Sequence, residues 1–295
     1  MKNILIPTDF SLAAWNATKY ALQLFAESEC VFYFLNAYTP EMHSNRLMAG
    51  RVSDMNKGCS AKSASEKGLR RTIHRIKKEY RNALHQYTAI STFSMLVDEV
   101  EEVVEDRKID YIIMSASGGA DDETIFFGRN TVRILNHGYQ CPVMVIPPRV
   151  PFENLHSISV ISEQNHLFKG DELNPVVNLA KYFNSAIQIA SMQNTTDQIM
   201  ELQQINHQII TDKLGGISHD FYKLDTETSL SPTLKSYVNH TNCQLLVMSN
   251  NVNGYLRNLC NDYIVGRSTF CCHVPLLSLQ LVENNTSVSR YNLFS

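Results

Sequence analysis

The stretch KNILIPTDF (residues 2–10) returns 154 residues later as HSISVISEQ (156–164), and this pair decides how the chain is read. Each is a short apolar run closed by polar residues, with Asp9 in one copy standing opposite Glu163 in the other. The likeness extends outward. DYIIMSASG (110–118) is echoed by CQLLVMSNN (243–251), and QCPVMVIP (140–147) by HVPLLSLQ (273–280), at offsets near 133. The offset shrinks because a Pro-, Gly-, Ser-, Asn- and Met-containing stretch at 39–64 has no counterpart in the second half, so it reads as a long loop. An internal duplication is the simplest account, with its boundary at Arg149 to Phe152, where Pro147, Pro148 and Pro151 cluster.

Within the first half, apolar runs alternate with helical periodicity. ILIP (4–7), CVFYFLNAY (30–38), His85 to Phe93, YIIMSAS (111–117) and CPVMVIP (141–147) read as strands. Between them fall a helix N-capped by Ser11, with Trp15, Tyr20, Leu22 and Leu24 on its apolar face, and a helix over 66–81 striped by Leu69, Ile73, Ile76 and Tyr80. An acidic helix carries Val97, Val100 and Val104 inward, and another helix covers 129–137. The second half gives a helix-then-strand over 176–192, an amphipathic helix over 197–213 with Ile199, Leu202, Ile205 and Ile209, and a helix start at Ser231-Pro232. Strands without apolar–polar alternation, separated by helices, predict parallel sheets covered on both faces. The expected fold is two tandem doubly wound α/β domains, each a five-stranded, mostly parallel sheet with helices on both faces. Their spans are 1–149 and 152–282, followed by a polar tail at 283–295.

Composition narrows the class. A chain of 295 residues suits two domains of about 150 residues. With 44% hydrophobic and 19% charged residues it is neither disordered nor fibrous. A net charge of -3 gives no global case for nucleic acid or a membrane surface as partner. Seven cysteines, an odd number in a long chain, argue for a reducing compartment; with no signal peptide or apolar span legible, a cytoplasmic location is expected.

The segment richest in chemistry is MSASGGADDETIFFGRNTVRIL (114–135), where a glycine-bearing loop follows a buried strand and a helix opens at Gly128. In open α/β sheets ligands sit beyond the carboxyl ends of strands. Backbone N–H groups at a helix N-terminus hold phosphates there, and Gly118 and Gly128 let the backbone approach closely. Asp9, at the end of the first strand, would face the same crevice as an acceptor for an adenine amino group or a ribose hydroxyl.

The strands ILIPTDFS, DYIIMSASGG and CPVMVIP, with FFGRNT, resemble the universal stress protein family, strongly over 1–148 and faintly over 152–282. The resemblance implies an adenine nucleotide alpha hydrolase-like fold and a stress-response role exerted through conformation or partner binding. ATP-binding members carry G-x2-G-x9-G-[S/T]; here the register is Ser115-x2-Gly118-x9-Gly128-Arg129, so the first glycine is a serine and an arginine replaces the small hydroxyl residue. A serine at that tight approach would demand a strained backbone. By resemblance the adenine would lie near Pro7, Asp9 and Ala37. The phosphates, with Mg2+, would lie near Met114, Ser115, Gly118, Gly128, Arg129 and Asn130. No general base is identifiable, so at most slow ATP hydrolysis is implied. The family's habit of pairing last strands implies antiparallel pairing of 141–147 with 273–280 inside the chain, and leaves a homo-oligomer open.

Rival readings carry less. In the second half SNN (249–251) replaces the glycine turn, and counting back from Pro275 puts Asp262 at the place of Gly128, where an acid would repel phosphate. That domain reads as a built-in structural partner, and if both crevices are closed the chain is a nucleotide-free scaffold, Arg129 or its neighbours filling the first. SGGADD (117–122) is similar to the SGGxDS loop of ATP pyrophosphatases, which would make the chain an ATP-using enzyme, but it follows the fourth strand rather than the first. Cys271-Cys272-His273 lacks the second ligand pair of a zinc site. The cations of the 66–81 helix read as a solvated face balanced by Asp98, Glu99, Glu101, Glu102 and Glu105.

Overall fold

The computed structural model describes residues 1–38, 54–116, 127–163, 166–169, 171–192, 197–224, 230–251, 254–264 and 273–280. The first half runs β1 (Lys2–Pro7), α1 (Leu12–Leu24), β2 (Cys30–Ala37), α2 (Asp54–Glu79), β3 (His85–Thr92), α3 (Leu96–Arg107), β4 (Tyr111–Ser115), α4 (Arg129–His137) and β5 (Val143–Ile146). The second half repeats it as β6 (Ser157–Ser162), α5 (Asn174–Phe183), β7 (Ala186–Met192), α6 (Asp197–Leu214), β8 (His219–Leu224), α7 (Leu230–His240), β9 (Leu245–Ser249), α8 (Tyr255–Ile264) and β10 (Leu276–Leu279).

These strands form one ten-stranded sheet in the order β3-β2-β1-β4-β5-β10-β9-β6-β7-β8. Every neighbouring pair is parallel except β5 and β10, which run antiparallel with Val145 opposite Leu276 and Met144 opposite Leu277. Each half is therefore a doubly wound α/β sheet of order 3-2-1-4-5. Because β1 to β2 to β3 steps one way and β3 to β4 to β5 the other, right-handed crossovers put successive helix pairs on opposite faces. One core joins α1, α2, α5 and α6 to residues such as Ile4, Ile6, Ile146, Leu277 and Ile158. The other joins α3, α4, α7 and α8 to Leu5, Ile112, Val145, Leu246 and Leu276. Consecutive strand residues alternate between two cores, which is why these runs lack polar positions.

Four expectations are corrected. Helix α2 begins at Asp54, inside the stretch read as loop, of which 39–53 lie outside the described residues. Its opening turns, DMNKGCSAKSAS, are good helix formers in part but show no apolar stripe, and the stripe was the signal. In α6 the inward face is Asn206, Ile210 and Leu214, whereas Ile205 is 45% exposed. Pro232 is the third residue of α7, which starts at Leu230. The acids of α3 lie across the sheet from α2, so Arg70 and Arg75 pair instead with Glu66 and Glu79 of their own helix, at 3.3 and 3.0 Å.

Candidate functional site

Because β1 and β4 are neighbours whose connections leave in opposite directions, a crevice opens beyond their carboxyl ends. A cavity of about 630 Å3 occupies it, lined by Pro7, Thr8, Asp9, Ala14, Asn36, Ala37, Leu96, Met114, Ser115, Gly128, Arg129, Asn130 and Thr131. Eight of the nine site residues read from the sequence lie on this lining; the ninth, Gly118, lies outside the described residues, as does the 117–122 loop. Thr8, Ala14, Asn36, Leu96 and Thr131 were not read from the sequence. Asn36 precedes Ala37 at the end of β2, and its side chain donates to the Thr8 carbonyl at 2.6 Å, bracing the turn out of β1.

That turn is tightly specified. The Phe10 amide donates to Thr8 Oγ1 at 3.1 Å and the Ser11 amide to Asp9 Oδ1 at 3.0 Å. Ser11 Oγ then accepts from the Ala14 amide at 3.1 Å and caps α1. Asp9 is exposed, with Oδ2 unbonded among the described residues. On the far wall, Gly128 N-caps α4 without any side-chain cap, and the first turn holds no acid. The Gly128 amide is spent on the Ala116 carbonyl at 2.6 Å, and Thr131 Oγ1 lies 3.1 and 3.0 Å from the carbonyls of Ser115 and Ala116. Thr131 thus staples the helix to the strand end, while the leading amides of α4 and the exposed Arg129, unpaired among the described residues, face the cavity. An uncapped helix N-terminus beside a cation is a place for an anion. Ser115 is buried and outside the left-handed region, so the expected strain there is absent; the strained residue is Phe10, at φ 64°.

The equivalent crevice of the second half is filled by its own side chains. Glu163 is buried; its Oε1 accepts from the Tyr255 amide at 3.0 Å, and Oε2 accepts from Asn251 Nδ2 at 3.4 Å. A carboxylate thereby sits at the N-terminus of α8, where the first half offers open amides. Gly254 leaves room for this contact: a Cβ there would come within 2.7 Å of Glu163 Oε2 and 2.8 Å of Asn251 Cβ. Behind it Glu172, also buried, accepts from Ser249 Oγ at 2.6 Å and lies 2.8 Å from His166 Nε2. Burial pushes the Glu163 carboxyl above its usual range, and Glu172 adds to the rise, against hydrogen bonds from Tyr255 and Asn251. This corrects the placement of Asp262, which falls near the end of α8 rather than at its start. The acid at the phosphate position is Glu163, because the loop after β9 is far shorter than the one after β4.

Other candidate groups stay apart. Cys30, Cys141, Cys243 and Cys260 are free and buried, and burial pushes the Cys141 thiol up to about 12. Among the described residues no group of His, Cys, Asp and Glu is placed to hold a metal ion, and no helix is long and apolar enough to cross a membrane. Asn16 is buried and donates to the carbonyls of Pro147 and Val150, tying α1 to the junction of the halves.

Residues 1–147 match the model of the universal stress protein family. No curated protein sequence matches the chain. Among solved structures it is similar to a universal stress protein from Archaeoglobus fulgidus DSM 4304, with a TM-score of 0.65 at 15% identity, covering 94% of this chain and 98% of that one. A putative universal stress protein from Pseudomonas aeruginosa UCBPP-PA14 gives a TM-score of 0.54 at 8% identity, covering 95% and 93%. The cytoplasmic domain of a prokaryotic cation chloride cotransporter gives 0.51 at 11%, covering 95% of each chain. At these identities the likeness is one of fold.

Proposed function

From the premise that this chain belongs to the universal stress protein family through residues 1–147, we propose that its first crevice binds ATP or another adenine nucleotide. On this reading the chain acts in a stress response by conformation or partner binding rather than by turnover. One observation carries the proposal: the Asp9 carboxylate and the uncapped, acid-free N-terminus of α4 face a single cavity of about 630 Å3. That volume lies within the usual range for small-molecule sites. Pro7, Asp9 and Ala37 would receive the base and ribose. Met114, Ser115, Gly128, Arg129 and Asn130 would receive the phosphates, joined by Gly118 on sequence grounds. Asp9 is the one carboxylate among the described lining residues, so Mg2+ would arrive on the phosphates rather than be held by the chain. The second half enters as a structural partner, since Glu163 already holds the place a phosphate would take.

Isothermal titration of ATP against the intact chain and Asp9→Ala tests this. Saturable heat is expected for the former, with binding roughly tenfold weaker after loss of one charged hydrogen-bond acceptor. The absence of heat up to millimolar ATP would overturn the proposal and leave the tandem scaffold in its place.

A further inference from the structure

On the other side of the β1 turn lies a second cavity, of about 620 Å3, between α1 and α2. It shares Thr8 with the first, and consecutive residues divide the two: Asp9 lines the crevice and Phe10 the cavity. Its α2 wall presents Lys67, Arg71 and Arg75, spaced i, i+4 and i+8 on one face, and its described lining residues include no acid. Arg75 is committed, pairing with Glu79 and lying 4.0 Å from the centre of the Trp15 ring. Lys67 and Arg71 have no ion-pair partner among the described residues. The α1 wall contributes Trp15 and the N-cap Ser11, so the positive end of that helix also faces inward, with no acid in its first turn.

The apolar side is built at a cost. Phe10 adopts φ 64°, a conformation that bulky residues avoid. Gly68 sits inside α2, where glycine is unfavourable, and a Cβ there would come within 2.4 Å of the Phe10 ring. Two unfavourable local choices therefore serve one arrangement, an aromatic ring laid against a helix backbone below two free cations. Local strain of this kind gathers at binding sites.

We propose that this cavity is a second ligand site, for a small organic phosphate or carboxylate with a flat apolar body. Its anionic group lies between Lys67 and Arg71, and its body lies against Phe10 and Trp15. The site is distinct from the nucleotide crevice and does not depend on it.

Trp15 is the only tryptophan in the chain, so its fluorescence reports directly from the cavity wall. The test is a titration of the intact chain with phenyl phosphate, following Trp15 emission, with inorganic phosphate and phenol as controls. Saturable change with phenyl phosphate is expected, much weaker with either control. In the double variant Lys67→Gln and Arg71→Gln the midpoint is expected to rise roughly tenfold or more. Both side chains are exposed, so circular dichroism should show an intact fold. The Arg129→Gln variant should respond like the unaltered chain, because Arg129 is exposed, lines the first crevice and does not line this cavity. The proposal is overturned by an absence of saturable change, by an unchanged midpoint in the double variant, or by loss of the response in Arg129→Gln.

Discussion

Glu163 and Asp9 stand at matching places in the two halves, and one methylene separates what they do. The shorter side chain turns back on its own loop, where Oδ1 accepts the Ser11 amide, and leaves the opposite helix open. The longer one crosses the crevice to the Tyr255 amide and closes it. The raised pKa of Glu163, caused first by its burial, has a definite consequence for stability. A carboxyl that holds its proton more tightly when folded favours the folded state as pH falls, and this contribution fades as pH rises from the ordinary carboxylate range through the raised value. Glu163→Gln keeps an acceptor for Tyr255 and removes the charge. Its melting temperature at neutral pH should equal or exceed that of the unaltered chain, and the slope of stability against mildly acidic pH should flatten. Calorimetry across that range checks both; a large loss at neutral pH would contradict them. Sequence offsets alone had set Glu163 against Asp9, yet counting back from Pro275 chose Asp262 as the repelling acid. Reach across a crevice is a property of three dimensions that no spacing records.

Among the elements, those driven by an apolar stripe were legible: α1, α3 and α4 and the strands of the first half lie close to where periodicity put them. What escaped was built on polar residues. The first turns of α2 carry no stripe, and β8, reading HDFYKL, is an edge strand with mostly exposed side chains and little apolar signal. Helix α6 shows how a polar residue can win the inward position. Asn206 is buried; its Nδ2 donates to Ser162 Oγ and the His166 carbonyl, each at 3.0 Å, and its Oδ1 accepts from the Phe168 amide at 3.1 Å. It fastens the loop after β6, a task no isoleucine performs, and the helix turns to suit it. Asn206→Leu should therefore cost about 2–3 kcal/mol by leaving buried partners unsatisfied, despite its larger apolar volume. Denaturant unfolding would show this as a lower midpoint with an unchanged slope. Of the candidate site, the strand ends and the Gly128 helix start were legible because a switch-point crevice follows from strand order. The cavity at Phe10 was not, since it depends on a positive φ and on the mutual position of two helices.

For the molecule as a whole the seam between β5 and β10 replaces two exposed sheet edges with one shared ladder. All four residues of β5 are buried, so residues 1–149 produced alone would uncover an apolar edge. That fragment should associate through β5, seen as concentration-dependent sedimentation, and a soluble monomer would contradict the expectation. The seam also fixes direction. Strands antiparallel across it place the carboxyl ends of one half beside the amino ends of the other. The two crevices thus open toward opposite rims of the sheet, and a partner resting on one rim never touches the other. Helix α4 runs between them: its amides open the first crevice, while the carbonyls of Leu135 and Asn136 near its far end accept from Asn250 and Arg257, at 2.6 and 2.7 Å. The closed half therefore holds one end of the short rod whose other end opens on the first crevice, as a fist grips a lever by its handle.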